Sequence, residues 1–201
     1  MKSLTSMKLL KLISVSLLTL SLSGCAGLFI AGAATTANLV TDTRTTKEIW
    51  SDNNIEFEVA AMTNKPPFRG NVSITASSYR GSVVLMGQAT TDAERRAFES
   101  QAKAVTGVES IHNQIRVKEP LSVSAISKDS WITTKVKSAL LAKSELNGIK
   151  VKVITEDSEV FLLGLVSREH ADIATEVARN ISGVKQVIRA FEYGEDDNSV
   201  N

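Results

Sequence analysis

The chain holds one cysteine, Cys25, among 201 residues, so no disulfide can form within it. It has two histidines. His112 and His170 are far apart and make no H-x-x-H or H-E-x-x-H spacing, which removes the usual zinc and metalloprotease arrangements. There is no G-x-x-x-x-G-K-[ST] loop and no G-x-G-x-x-G turn to cradle a phosphate. Two tryptophans, two tyrosines and six phenylalanines are too few to line a large aromatic ligand pocket. The run Glu195-Asp196-Asp197 reads as a solvated tail rather than a cation site. With no nucleophile, base or metal set in partnership, the chain is read as non-enzymatic and free of a dissociable cofactor.

What is present begins at the N-terminus. Lys2, Lys8 and Lys11 precede an apolar stretch, Leu12 to Leu22, that is too short for a membrane span. It ends in Leu22-Ser23-Gly24-Cys25, which resembles a bacterial lipobox. That resemblance implies removal of residues 1–24 as a signal peptide, and a diacylglycerol and an N-acyl chain on Cys25. Two or three acyl chains anchor stably where one does not. Ala26, in place of Asp, resembles the pattern sorted to the outer membrane, on its periplasmic face. Residues 25–45, rich in Ala, Gly and Thr, read as a lipidated tether.

The formal charge of +1 belongs to the whole chain. Without residues 1–24 it loses three lysines and no acids, leaving 20 basic and 22 acidic residues and a net of −2. No global basic field is available for nucleic acid.

The rest is a repeat. "SVVLMGQATTDAE" (82–94) aligns with "EVFLLGLVSREHA" (159–171), each an apolar strand with an internal glycine, Gly87 or Gly164, followed by a helix start. Thr90 and Ser167 are the expected N-caps. The two glycines are expected where helix and strand backbones come close. "VTGVESIHNQIRV" (105–117) matches "ISGVKQVIRAFEY" (181–193), with Gly107 and Gly183 expected as left-handed residues ending a helix. An additional helix precedes each copy, near 47–63 and 129–144, and strands near 71–77 and 149–156 follow. The expected fold is α+β: two αββαβ modules, each a three-stranded mixed sheet packed by two helices. The first covers 46–118 and the second 129–193. A linker spans 119–128, and an acidic tail spans 194–201.

The strands "VVLMGQA" and "VFLLGLV", each followed by a helix and then "TGV" or "SGV", resemble BON domains. A lipobox followed by two such modules resembles the dual-BON outer-membrane lipoproteins. The resemblance implies periplasmic, non-enzymatic modules that attach to phospholipid and support envelope integrity.

"KDSWITTKVKSALLAK" (128–143) bears the sharpest question. At about 100° per residue, Ile132, Val136, Ala139 and Leu140 share one side of a helix. Trp131 points away from them, toward Thr134, Lys135 and Ser138. Small residues and a lysine around an indole suit a lipid headgroup layer. Residues 128–144 carry Lys128, Lys135, Lys137 and Lys143 against Asp129; residues 47–63 carry Lys47 against Glu48, Asp52, Glu56 and Glu58. The second helix is therefore expected to touch anionic phospholipid through Lys128, Trp131, Thr134, Lys135 and Ser138, and the first is not. The alternative is packing of either tryptophan against the other module or a partner. Trp131 to Val136 and Trp50 to Ile55 share the spacing of a hydrophobic staple. A rival function is an adaptor for outer-membrane assembly proteins, with the strand 108–117 (Ile111, Ile115, Val117) as a pairing edge.

Overall fold

The computed structural model describes residues 44–194. The signal segment, Cys25, nearly all of the tether and all but Gly194 of the acidic tail lie outside them. The first module runs α1 (Thr46–Thr63), β1 (Val72–Tyr79), β2 (Ser82–Ala89), α2 (Asp92–Lys103) and β3 (Ser110–Val117). The second runs α3 (Val123–Leu141), a 3-10 turn (Ser144–Leu146), β4 (Lys152–Glu156), β5 (Glu159–Val166), α4 (Arg168–Arg179) and β6 (Gln186–Tyr193). Each sheet has three strands, ordered β1-β2-β3 and β4-β5-β6. The hairpin pairs are antiparallel, and β2–β3 and β5–β6 are parallel. Parallel neighbours need a crossover, which α2 and α4 supply.

The central strands explain the layering. Along β2, Val83 and Leu85 turn to one side and join Ile55, Val59, Phe68 and Phe98 in a core under the helices. Phe68 comes from the loop peculiar to this module and meets Phe98 edge-on, 5.0 Å between centroids. Val84 and Met86 turn the other way and meet Phe161 and Leu163 of β5. Val160 and Leu162 face Ile132, Val136, Ala174 and Ala178 under the second pair of helices. The two sheets thus pack face to face, with helices outside in both modules. Ion pairs tie the sheets at their rims: Arg116 to Glu159, Lys118 to Asp157 and Lys152 to Glu56, each 2.8 Å. Exposed pairs of this kind contribute about 0–1 kcal/mol each, so the apolar contact carries most of the association.

Several sequence expectations shift. Residues 123–128 are not linker but the first turns of α3, because the Ser122 hydroxyl accepts the Ala125 N–H and caps the helix there. Only residues 118–122 connect the modules. The N-cap of α2 is Thr91, not Thr90; the first module has one extra residue before that helix, so the ungapped alignment slips there. Ser167 caps α4 as expected. Gly107 and Gly183 have φ of +94° and +100°, yet lie three residues beyond the C-caps Ala104 and Asn180. They occupy tight turns closed by Val108 N–H to Val105 O and Val184 N–H to Ile181 O, where a positive φ at the third position is required. Gly87 and Gly164 approach not a helix but the backbone of the adjacent antiparallel segment: a Cβ there would lie 2.0 Å from the Ser73 carbonyl or 2.5 Å from that of Lys150.

Candidate functional site

The seat of α3 is set by a buried carboxylate. Asp129, 5% exposed, accepts the backbone N–H groups of Asp157 and Ser158 at 2.7 and 2.8 Å. Those two residues form the β4–β5 turn with positive φ, so the helix caps a strained hairpin. Asp52 does the same for the first hairpin, accepting from the Ser78 hydroxyl and from the N–H groups of Arg80 and Gly81. Burial alone would raise the Asp52 pKa. The hydrogen bonds from Ser78, Gly81, Arg80 and Arg44 outweigh it and hold the carboxyl below its ordinary range. Neither aspartate was distinguished by the sequence reading; the repeated Asp-x-x-Ile (Asp52 to Ile55, Asp129 to Ile132) is the signal it passed over.

With Asp129 and Ile132 fixed inward, Trp131 stands outward, 63% exposed. Trp131 is the ninth residue of α3, and Trp50 lies five past its N-cap Thr45. Neither precedes a helix start, so neither is a staple. Trp131 also has unforeseen company. Leu141 and Val123 are 83% and 80% exposed, and both lie about 80° to one side of Trp131. The three span about 27 Å of helix. Between them stand Ser127, Ser130, Thr134 and Ser138. The hydroxyls of Ser127, Ser130 and Thr134 donate to carbonyls four residues back, at 2.9–3.0 Å. Hydroxyls bonded to their own helix have less need of water, which lowers the cost of sinking this face into an apolar layer.

The lysines flank that stripe. Lys128 and Lys135 lie about 60° and 40° to its other side, and Lys137 beyond the Leu141 edge. Lys135 Nζ donates to the Ser182 carbonyl at 2.5 Å, beside Gly183, where a side chain would press on Ile132. The α4–β6 turn therefore abuts the same face. Because Asp129 is withdrawn into the hairpin, residues 128–144 show lysines and no exposed acid.

The first helix differs in the same terms. Glu48 closes the N-terminal capping box with Thr45. Glu56 bonds the Ser78 N–H and Lys152. Asp52 is buried. The acids counted against lipid binding in this helix are thus mostly consumed inside the fold.

Other features lie elsewhere. A cleft of about 490 Å³ opens between the sheets, lined in part by Val84, Leu163 and Ile188, with His112 on its wall. Its rim charges Lys152 and Arg189 already hold Glu56 and Asp172. His170 bonds its own N-cap, Ser167. Among the described residues no cluster of His, Cys, Asp and Glu is arranged to hold a metal, and no helix is long and apolar enough to cross a membrane.

The BON-domain family matches residues 51–119 and 128–195. The chain belongs to the BON-domain family. Both BON copies coincide with the αββαβ units described above. The dual-BON chain is 39% identical over 176 residues to the outer membrane lipoprotein DolP of Haemophilus influenzae, covering 87% of this chain and 91% of that one. It is 48% identical over 120 residues to the 21 kDa hemolysin of Actinobacillus pleuropneumoniae, covering 60% and 62%. To the osmotically-inducible protein Y of Escherichia coli K12 it is 33% identical over 108 residues, covering 52% and 54%. None of these three bears the name of an enzyme. The chain is a DolP-like envelope protein with two BON domains.

Proposed function

We propose that the protein is a lipid-anchored, non-enzymatic element of the outer membrane, held at the periplasmic face by acyl chains on Cys25. Its second BON domain binds anionic phospholipid through α3, and this supports the integrity of the envelope. The observation that carries the reading is the exposed Trp131, set in a helix face where the hydroxyls of Ser127, Ser130 and Thr134 are satisfied internally and whose flanks are lysines. Near an anionic surface each such lysine contributes about 1 kcal/mol, and the indole sits well at the headgroup level. A fragment starting at Arg44 keeps all three apolar clusters and lacks the acyl chains. It should float with vesicles containing phosphatidylglycerol and not with purely zwitterionic ones. Equal flotation on both would remove the electrostatic part of the proposal. Cys25→Ala in the full chain should leave an unacylated protein that no longer fractionates with the outer membrane. Unchanged fractionation would refute the anchor.

A second reading has its own observation. Among the described residues, β3 has β2 on one side and no strand on the other, so its edge is open to a strand from an assembly protein. Of its three candidate side chains, Ile115 is buried in its own core and Val117 is 51% exposed. A photoreactive residue at Val117 should then capture such a protein in cells; recovery of lipid adducts alone would count against the adaptor.

A further inference from the structure

On α1, Trp50 and Phe57 are 66% and 75% exposed. They lie within about 20° of each other around the helix and about 10 Å apart along it. Both point away from Ile55 and Val59, and hence away from the sheet. With Glu48, Asp52 and Glu56 engaged within the fold, the charges left on this face are Lys47 and Glu58. Both are exposed, and among the described residues neither forms an ion pair or hydrogen bond. They stand on the same flank, about 60° and 80° from Trp50, and about 16 Å apart along the axis.

Their placement has an internal symmetry. Lys47 and Glu58 are centred between residues 52 and 53, and Trp50 and Phe57 between residues 53 and 54. A two-fold axis through that point, lying in the contact plane, reverses the helix direction and keeps the flank. It sets Lys47 of one copy beside Glu58 of another, twice, and Trp50 of one copy against Phe57 of the other. An isologous contact needs this kind of self-complementarity. A shallow hollow ringed by Lys47, Trp50, Ser51, Asn54, Glu58 and Thr106 leaves room on that flank for an incoming ring. The face of α3 lacks the property: its lysines share one sign, and the same operation would set lysine against lysine.

We infer that α1 is a self-association surface, pairing antiparallel with α1 of a second copy through Trp50 and Phe57 and through reciprocal Lys47–Glu58 ion pairs. The neutral, symmetric face suits another copy of this chain better than an anionic membrane, and the inference stands independently of lipid binding by α3.

The test uses the full-length chain in cells. Asn54→Cys places a thiol close to the proposed axis, and the one native cysteine, Cys25, is far from it in sequence. A short bismaleimide should give a covalent dimer with Asn54→Cys and none with the native chain. In the Asn54→Cys background, Lys47→Glu or Glu58→Lys alone should lower the dimer yield by about fivefold, since two ion pairs become like-charge contacts. Co-expression of the two charge variants under different tags should restore a mixed dimer above either homodimer. Trp50→Ala should lower the yield about tenfold or more. Each variant's melting temperature, measured on purified protein, should match the parent, since these side chains are exposed. No dimer, an adduct of another mass, or a yield indifferent to the charge swap would overturn the inference.

Discussion

Asp129 and Ser158 stand 29 residues apart, yet the carboxylate of the first accepts the backbone N–H of the second at 2.8 Å. The same carboxylate takes the Asp157 N–H at 2.7 Å. Asp129→Ala leaves two N–H groups of a turn with φ of +52° and +66° without their acceptor. Each orphaned group costs about 1–3 kcal/mol, so a loss of about 3 kcal/mol is expected in urea unfolding, and Asp129→Asn should cost less. A variant as stable as the parent would show that α3 is seated by packing alone. Asp52 adds a pH arm. Its folded pKa is depressed, so its contribution is present above the ordinary carboxylate pKa and is lost as pH falls through the lower folded value. Asp52→Asn should therefore flatten the acid limb of the stability curve.

Glu156 behaves in the opposite sense. It lies at the seam of the two sheets and accepts from the Thr75 hydroxyl and the Gln88 amide. Burial pushes its pKa up, with Asp129 and Asp157 adding to the rise and the two hydrogen bonds opposing it. A raised folded pKa means stability that is complete at low pH and declines as pH rises through it. Gln88 Oε1, buried, lacks a donor among the described residues, and a glutamine at 156 has an amide to offer. Glu156→Gln should thus stabilise the protein at neutral pH by about 1 kcal/mol, the gain vanishing below about pH 4. Thermal melts across that range will show whether the difference has the stated slope.

Trp131→Glu should abolish vesicle binding with little change in melting temperature. Loss of a ring buried on binding costs about 1.5–3 kcal/mol, and the added charge about 1 kcal/mol more. Together these weaken affinity about a hundredfold or more. Leu141→Ser should weaken it less, and Lys128→Glu should lose its effect in high salt. If Trp131→Glu floats as the parent does, α3 is not the contact.

Gly87→Ala should be among the most destabilising single changes in the first domain. Its φ is +124°, and the new methyl carbon would meet the Ser73 carbonyl at 2.0 Å. A cost of about 3 kcal/mol or more is expected, read from chemical denaturation; Gly164→Ala should follow with a somewhat smaller loss, its contact being 2.5 Å.

The two αββαβ units were legible because the apolar runs of β2 and β5, each with an internal glycine and a helix start behind it, repeat in the sequence, and both strands are largely buried on both faces. The outward Trp131 was legible from its angle to Ile132 and Val136. Residues 123–128 were not, since Val123 and Ile126 lie exposed on the extension and give no amphipathic period; the Ser122 cap decides the matter locally. Charge was misread for a different reason. A sum over residues 47–63 treats every carboxylate as solvated, whereas Asp52 and Glu56 spend theirs on backbone and on Lys152. Leu141 was passed over because its neighbour Leu140 is core.

The face-to-face packing of the two sheets limits what this architecture can become. Each sheet has two faces, one closed by its own helices and the other by the sibling sheet through Val84, Met86, Phe161 and Leu163. A third copy appended to the chain would find no bare sheet to lie on. The duplication therefore ends in a closed pair, unlike solenoids that lengthen by stacking, and removing either copy leaves the other with an apolar wall open to water.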